Sequence, residues 1–220
     1  MNLAQELQSK FKLYSNKTAI IFEEVIYTYD DIYKAVNQVF ELLQLQGVKK
    51  GDRVAVQVSK SPEIIFFHIA AMAAGAIVLH LNEDYKSQEV QYFIEDSNST
   101  LLITDSKNYL KSKKVLSGFA DLQILTTDQK IPGLAFLPDE LKRCLCLSEP
   151  VYTTGDDDIA MLLYTSGTTG KQKGAMVSHS ALAENMKDLH ELWKLSEQDI
   201  SLHTLPLVHG HGLILALQGA

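Results

Sequence analysis

The chain has 220 residues, 46% of them hydrophobic and 21% charged, which is enough apolar material for a sizeable core and ordinary for a soluble globular protein. Its formal net charge of −7 excludes a nucleic-acid binder working through a basic face, so any polyanionic ligand must be met by a local cluster of cations and amides. Cys144 and Cys146 are too few and too close for a disulfide framework, and a reducing cytoplasm is the simplest setting.

Met1–Leu13 reads as a short amphipathic helix with neither the apolar core segment nor the cleavage pattern of a secretory signal. Thr18–Phe22 and Val25–Tyr29, split by Glu23 and Glu24, predict a hairpin of two short strands. Thr28 and Asp31 form an aspartate variant of the capping box. Ile32, Val36, Phe40 and Leu43 then recur at helical spacing up to Gly47.

From Arg53 the pattern becomes regular. Strands are predicted at Arg53–Val58, Ile77–Leu81, Leu101–Thr104 and Leu122–Leu125, and helices at Pro62–Ala74, Ser87–Asp96 and Ser106–Leu116. The run Ile64–Leu81 is near bilayer length, but His68 and Gly75 interrupt it and a buried helix turning into a buried strand fits better. Ile131–Pro150 reads as irregular, with a short helix at Asp139–Cys146. A strand at Asp158–Thr165 follows, then a helix from Ser178 to Trp193 with Leu182, Met186, Leu189 and Trp193 on its core side, and a strand at Ile200–Pro206. Near-continuous apolar strands alternating with helices predict an α/β fold, a layered parallel β-sheet flanked by helices.

Between the strand and the helix stands a different composition. From Thr165 to Gly174 the sequence TSGTTGKQKG holds three glycines, four hydroxyl residues and two lysines. Glycine permits backbone amides to converge on one point, and hydroxyls and lysines add donors and charge, so the stretch suits the phosphates of a nucleotide. Read as strand, loop and helix, it would also place a helix N-terminus at the anion. It is not a Walker A loop, because only two residues separate Gly167 from Gly170 and no hydroxyl residue follows Lys171 or Lys173.

The stretch YTSGTTGKQKGAMVSH, Tyr164–His179, resembles the phosphate-binding signature YTSGTTGxPKGxxxxH of the adenylate-forming superfamily, with Gln172 where most members carry proline. The likeness extends along the chain, to VIYTYDDIYKAVNQVFELLQLQGVKKGDRVAVQVSKSPEII, to AAMAAGAIVLHLNEDYKSQEVQYFIEDS, and to LPLVHGHGL, which resembles the next family motif. Within the superfamily KSPEI, LNEDY and HGHGL look most like malonyl-CoA synthetases and neighbouring short-chain acyl-CoA ligases.

The resemblance implies the N-terminal portion of an acyl-CoA synthetase large domain and a two-step reaction, carboxylate adenylation by ATP followed by thioester formation with coenzyme A. It implies Thr165, Ser166, Gly167, Thr168, Thr169, Gly170, Lys171 and Lys173 as contacts to the ATP phosphates, and His209 and His211 beside the acid. ATP, Mg2+, coenzyme A and a small carboxylic acid are the implied ligands, malonate or another short acid first and a medium- or long-chain fatty acid as the alternative. The metal ligand and the catalytic lysine of the family lie in parts with no counterpart here, so no catalytic residue and no turnover are expected of this stretch by itself.

The division expected from the resemblance is 1–48 for a hairpin and helices of a second subdomain, 49–205 for the main sheet, and 206–220 for the start of that second subdomain again. The apolar ending GLILALQGA gives the expectation of a fragment that self-associates. Two rival readings are a non-catalytic nucleotide-binding module and a zinc hydrolase built on His203, His209 and His211.

Overall fold

An amphipathic helix, α1 (Leu3–Leu13), opens the chain and turns Leu3, Ala4 and Phe11 inward. The computed structural model describes residues 3–144, 154–165, 172–208, 210, 212 and 213. Strands β1 (Thr18–Phe22) and β2 (Val25–Thr28) pair antiparallel in a sheet of their own, turning through Glu23 at φ 54°. Helix α2 (Tyr29–Leu45) starts on the predicted capping box. The Thr28 hydroxyl oxygen accepts from the Asp31 amide at 3.2 Å, while the Asp31 carboxylate accepts from the Thr28 amide at 2.8 Å. The Thr28 hydroxyl also donates to the Asp31 carboxylate at 2.6 Å, and that bond first, then the one from the Thr28 amide, holds the Asp31 carboxyl below its ordinary range.

The remaining strands are β3 (Arg53–Gln57), β4 (Ile77–His80), β5 (Leu101–Thr104), β6 (Gln123–Thr126), β7 (Ala135–Phe136), β8 (Ile159–Thr165) and β9 (Lys173–Ser178). They form one seven-stranded sheet in the order β7-β6-β5-β3-β4-β8-β9. All neighbours are parallel except β8 and β9. Helices α3 (Glu63–Ala73), α4 (Ser87–Ser97), α5 (Ser106–Leu116), α6 (Leu137–Leu141) and α7 (His179–Trp193) complete the described elements.

The strand period of two sorts side chains between two cores. Val54, Val56, Val78, Leu101 and Ile103 face one core with α1, α2, α3 and the start of α7, whereas Ala55, Leu79 and Leu102 face the other with α4 and α5. Helices thus cover both faces of the sheet, as expected from the alternation of strands and helices. Helix α3 is apolar all round because it lies between the sheet and the layer formed by α1 and α2, with nine of its residues buried from Ile64 to Ala73. Among the described residues no helix is long and apolar enough to cross a membrane.

Four local expectations are corrected. The helix predicted at Asp139–Cys146 is instead α6, which begins at Leu137 with proline in its first turn, and the two-residue strand β7 precedes it. Ile200–Pro206 is not a strand; Ile200 is 92% and Leu202 89% exposed, because alternation alone makes no ladder without a sheet edge beside it. Trp193 is not a core residue but is half exposed at the end of α7, where only His179 and Leu182 are buried. The sheet is not wholly parallel, since residues 173–178 form the reversed edge strand β9.

Candidate functional site

The reversed strand changes the geometry of the glycine- and hydroxyl-rich stretch. It does not run from strand into helix; it joins β8 to β9 as an antiparallel hairpin, and α7 begins at the far end of β9. The helix N-terminus invoked for anion binding therefore caps elsewhere, with the Ser178 hydroxyl oxygen accepting from the Ala181 amide at 3.2 Å. Residues 173–178 become strand because β8 is an apolar strand whose outer edge needs partners for its N–H and C=O groups. A signal was present: two β-prone runs, LLYT and AMVS, flank a cluster of turn residues, the pattern of a hairpin.

The hairpin register puts two of the predicted phosphate contacts face to face, Thr165 at the end of β8 opposite Lys173 at the start of β9. Lys173 is exposed. Ser166, Gly167, Thr168, Thr169, Gly170 and Lys171 lie outside the described residues, as do His209, His211 and Cys146. His203 is described; its backbone carbonyl accepts from Lys60 Nζ at 2.9 Å. Among the described residues no group of three or more His, Cys, Asp or Glu side chains could hold a metal ion.

One pair deeper, Tyr164 lies opposite Gly174. A Cβ at Gly174 would stand 3.3 Å from Tyr164 Cζ, so the glycine leaves room for the phenol ring to lie across the neighbouring strand. That ring packs edge-on to Phe93 at 4.7 Å and Tyr92 at 6.3 Å, both on α4. The Tyr164 hydroxyl donates to Asp96 Oδ2 at 2.5 Å, and the Tyr92 hydroxyl donates to the Gln172 carbonyl at 2.6 Å. Burial, then the bond to Asp96, pushes the Tyr164 phenol far above its ordinary range, so it stays protonated and a donor.

A second polar cluster lies in the core and escaped the sequence reading. His68 on α3 and His80 at the end of β4 are both buried, with Nδ1 of His68 and Nε2 of His80 3.0 Å apart. Burial lowers both, His80 to about 3 and His68 well below its usual value with His80 and His179 adding to the shift, so the pair is neutral. His179, the last residue of the signature, is fully buried; its amide donates to the Asp158 carbonyl at 3.1 Å. Its ring nitrogens have no hydrogen-bond partner among the described residues, and burial lowers it against the opposing pull of Asp158. The Asp158 carboxylate pairs instead with Lys50 Nζ at 2.7 Å and accepts from the Gly155 amide.

Away from the hairpin, a cleft of about 330 Å³ opens between the end of α7 and residues 199–205, lined among others by Trp193, Ile200, Leu202 and His203. It contains none of the predicted phosphate contacts.

A family model described as AMP-binding enzyme matches residues 7–220. The probable CoA ligase CCL9 of Humulus lupulus is 30% identical over 209 residues, covering 93% of this chain and 39% of that protein. The crotonobetaine/carnitine–CoA ligase of Citrobacter koseri is 28% identical over 225 residues, covering 94% of this chain and 42% of that protein. Among solved structures, apo MatB from Rhodopseudomonas palustris superposes with a TM-score of 0.82 at 31% identity, over 99% of this chain and 43% of that one. ATP-bound MatB gives 0.78 at 29%, over 100% and 44%. The chain thus spans about two fifths of the length of the relatives it matches.

Proposed function

The chain belongs to the AMP-binding enzyme family, and from that premise we propose that it serves an ATP-dependent acid–CoA ligase and carries the site for the ATP phosphates. The observation that bears most weight is the hairpin register, which sets Thr165 and Lys173 opposite each other at the mouth of the signature stretch. The remaining proposed phosphate contacts are Ser166, Gly167, Thr168, Thr169, Gly170 and Lys171 between them, with amides, hydroxyls and lysine charge supplying the donors.

In the proposed reaction a carboxylate attacks the α-phosphate of Mg·ATP, pyrophosphate leaves, and the thiol of coenzyme A then displaces AMP from the acyl-adenylate. The nucleophile is already an anion, so the first barrier is chiefly repulsion from the polyphosphate. Fixed dipoles and cations at the leaving pyrophosphate lower that barrier, and in-line positioning contributes the rest. The proposed acid is malonate or another short acid, on the likeness of KSPEI, LNEDY and HGHGL, with His209 and His211 as its contacts. ATP and coenzyme A as co-substrates fit a cytoplasmic setting.

The test is equilibrium binding of Mg·ATP and of inorganic pyrophosphate to the 220-residue chain by calorimetry. Competition between the two ligands is expected, as is a loss of about tenfold or more for Lys173→Ala, since charge-assisted bonds are each worth roughly 1.5–3 kcal/mol. Wild-type-like binding by Lys173→Ala, or no competition by pyrophosphate, overturns the placement of the phosphates. The acid is ranked by pyrophosphate release from the protein that carries this chain, with malonate expected ahead of fatty acids.

A further inference from the structure

Helix α4 touches the β8–β9 hairpin at both of its legs. Tyr92 and Asp96 are four residues apart and so share one face of the helix. From that face the Tyr92 hydroxyl reaches the Gln172 carbonyl at 2.6 Å, and Asp96 receives the Tyr164 hydroxyl at 2.5 Å. Gln172 stands one residue before β9, outside the paired register, which ends at Thr165 and Lys173. Tyr92 supplies a donor to that carbonyl beyond the ladder. On the other leg, the phenol of Tyr164 meets a carboxylate, a charge-assisted bond of the stronger kind.

Neither hydroxyl is needed to seat α4. Its core contacts are Val90, Phe93 and Ile94, and a phenylalanine at 92 or 164 would offer the same ring area without the oxygen. What the oxygens do is set the hairpin: one fixes the leg before Thr165, the other the leg before Lys173. Sites that bind by preorganised donors lose function when those donors are misplaced by about 0.5 Å, so the elements holding the legs matter as much as the donors themselves.

We infer that Tyr92 and Asp96 are positioning residues of the phosphate site, fixing from one helix face the separation and tilt of Thr165 and Lys173. This rests on the phosphate reading given above. The aromatic group of Tyr92, Phe93 and Tyr164 is the rigid footing of the device; Tyr92 and Phe93 lie 5.5 Å apart and Phe93 and Tyr164 4.7 Å apart.

The experiment compares Tyr92→Phe, Tyr164→Phe, Asp96→Ala and Asp96→Asn with the wild-type chain, with Tyr85→Phe as control. Three quantities are measured: affinity for Mg·ATP and inorganic pyrophosphate, amide hydrogen exchange at Gln172–Ala175 without ligand, and the thermal midpoint. Tyr92→Phe is expected to weaken both ligands about five- to tenfold and to speed exchange at Gln172–Ala175 several-fold, with the midpoint nearly unchanged. Asp96→Asn, which keeps an acceptor, is expected to lose less than Asp96→Ala. Unchanged exchange in Tyr92→Phe overturns the inference, and so does faster exchange with wild-type affinity. If the wild-type chain binds neither probe, the phosphate reading fails and the positioning claim falls with it. The exchange arm then still reports whether Tyr92 holds the hairpin.

Discussion

Removing the buried histidine pair by the double substitution His68→Leu/His80→Leu isolates a proton linkage. In the folded chain His80 takes a proton only near pH 3, whereas in the unfolded chain it does so near the ordinary imidazole value of about 6.5. A histidine lowered in this way contributes full stability above pH 6.5, and that stability drains away as pH falls towards 3, because the unfolded state binds the extra proton first. Between pH 7 and pH 5 the loss for His80 alone is about 2 kcal/mol, and His68, lowered in the same direction and equally buried, adds to it. The leucine pair has no such proton to bind. Urea unfolding followed by circular dichroism at pH 7 and pH 5 gives the fall in stability for each protein. Carboxylates such as Asp31 and Asp128, which are held low and lose stability on acidification, act alike in both proteins and cancel. The double variant is expected to lose at least about 2 kcal/mol less than wild type over this interval. Equal losses would mean that the two imidazoles are hydrated or already charged in the folded protein, and the reasoning from burial would be wrong.

Gly75 has φ 75° and its added Cβ would lie 2.8 Å from Thr154 Cγ2, so Gly75→Ala combines backbone strain with a clash. It is expected to cost more than about 1 kcal/mol, and an unchanged thermal midpoint would refute that. Thr28→Ala removes the hydroxyl half of the capping box and is expected to destabilise by about 1 kcal/mol in the same urea assay. It should also let the Asp31 carboxyl rise towards its ordinary range, which carbon-detected NMR titration reads directly. Gly174→Ala presses a methyl group towards the Tyr164 ring and is expected to cost roughly 1 kcal/mol, with faster exchange at Gln172. Full stability would show that the ring has room to yield.

The parts of the fold that were legible in the sequence are those whose cause is local. Strands β3, β4 and β5 announce themselves because strands covered on both faces need near-continuous apolar runs, and α2 because Thr28, Asp31 and the apolar spacing are all within one segment. Strand β9 was missed because four of its six residues are exposed; the edge of β8, and not the composition of 173–178, makes it a strand. Residues Ile200–Pro206 failed in the opposite sense, having the pattern without the partner. At the site, Thr165 and Lys173 were legible from residue type, but their footing was not. Tyr92 meets Gln172 across eighty positions of sequence, and His68 meets His80 across a helix-to-strand connection, so neither contact leaves a mark in any local window.

The bond from Tyr92 ends on a carbonyl oxygen that residue 172 has whatever its side chain. Glutamine, proline or any other amino acid there offers the same acceptor, so the departure from the superfamily signature at this position leaves the anchor point chemically intact. The demand for identity falls wholly on the donor. One partner of the contact is free to drift, while the other, a phenol eighty residues upstream, has no substitute that fills the same space and keeps the oxygen.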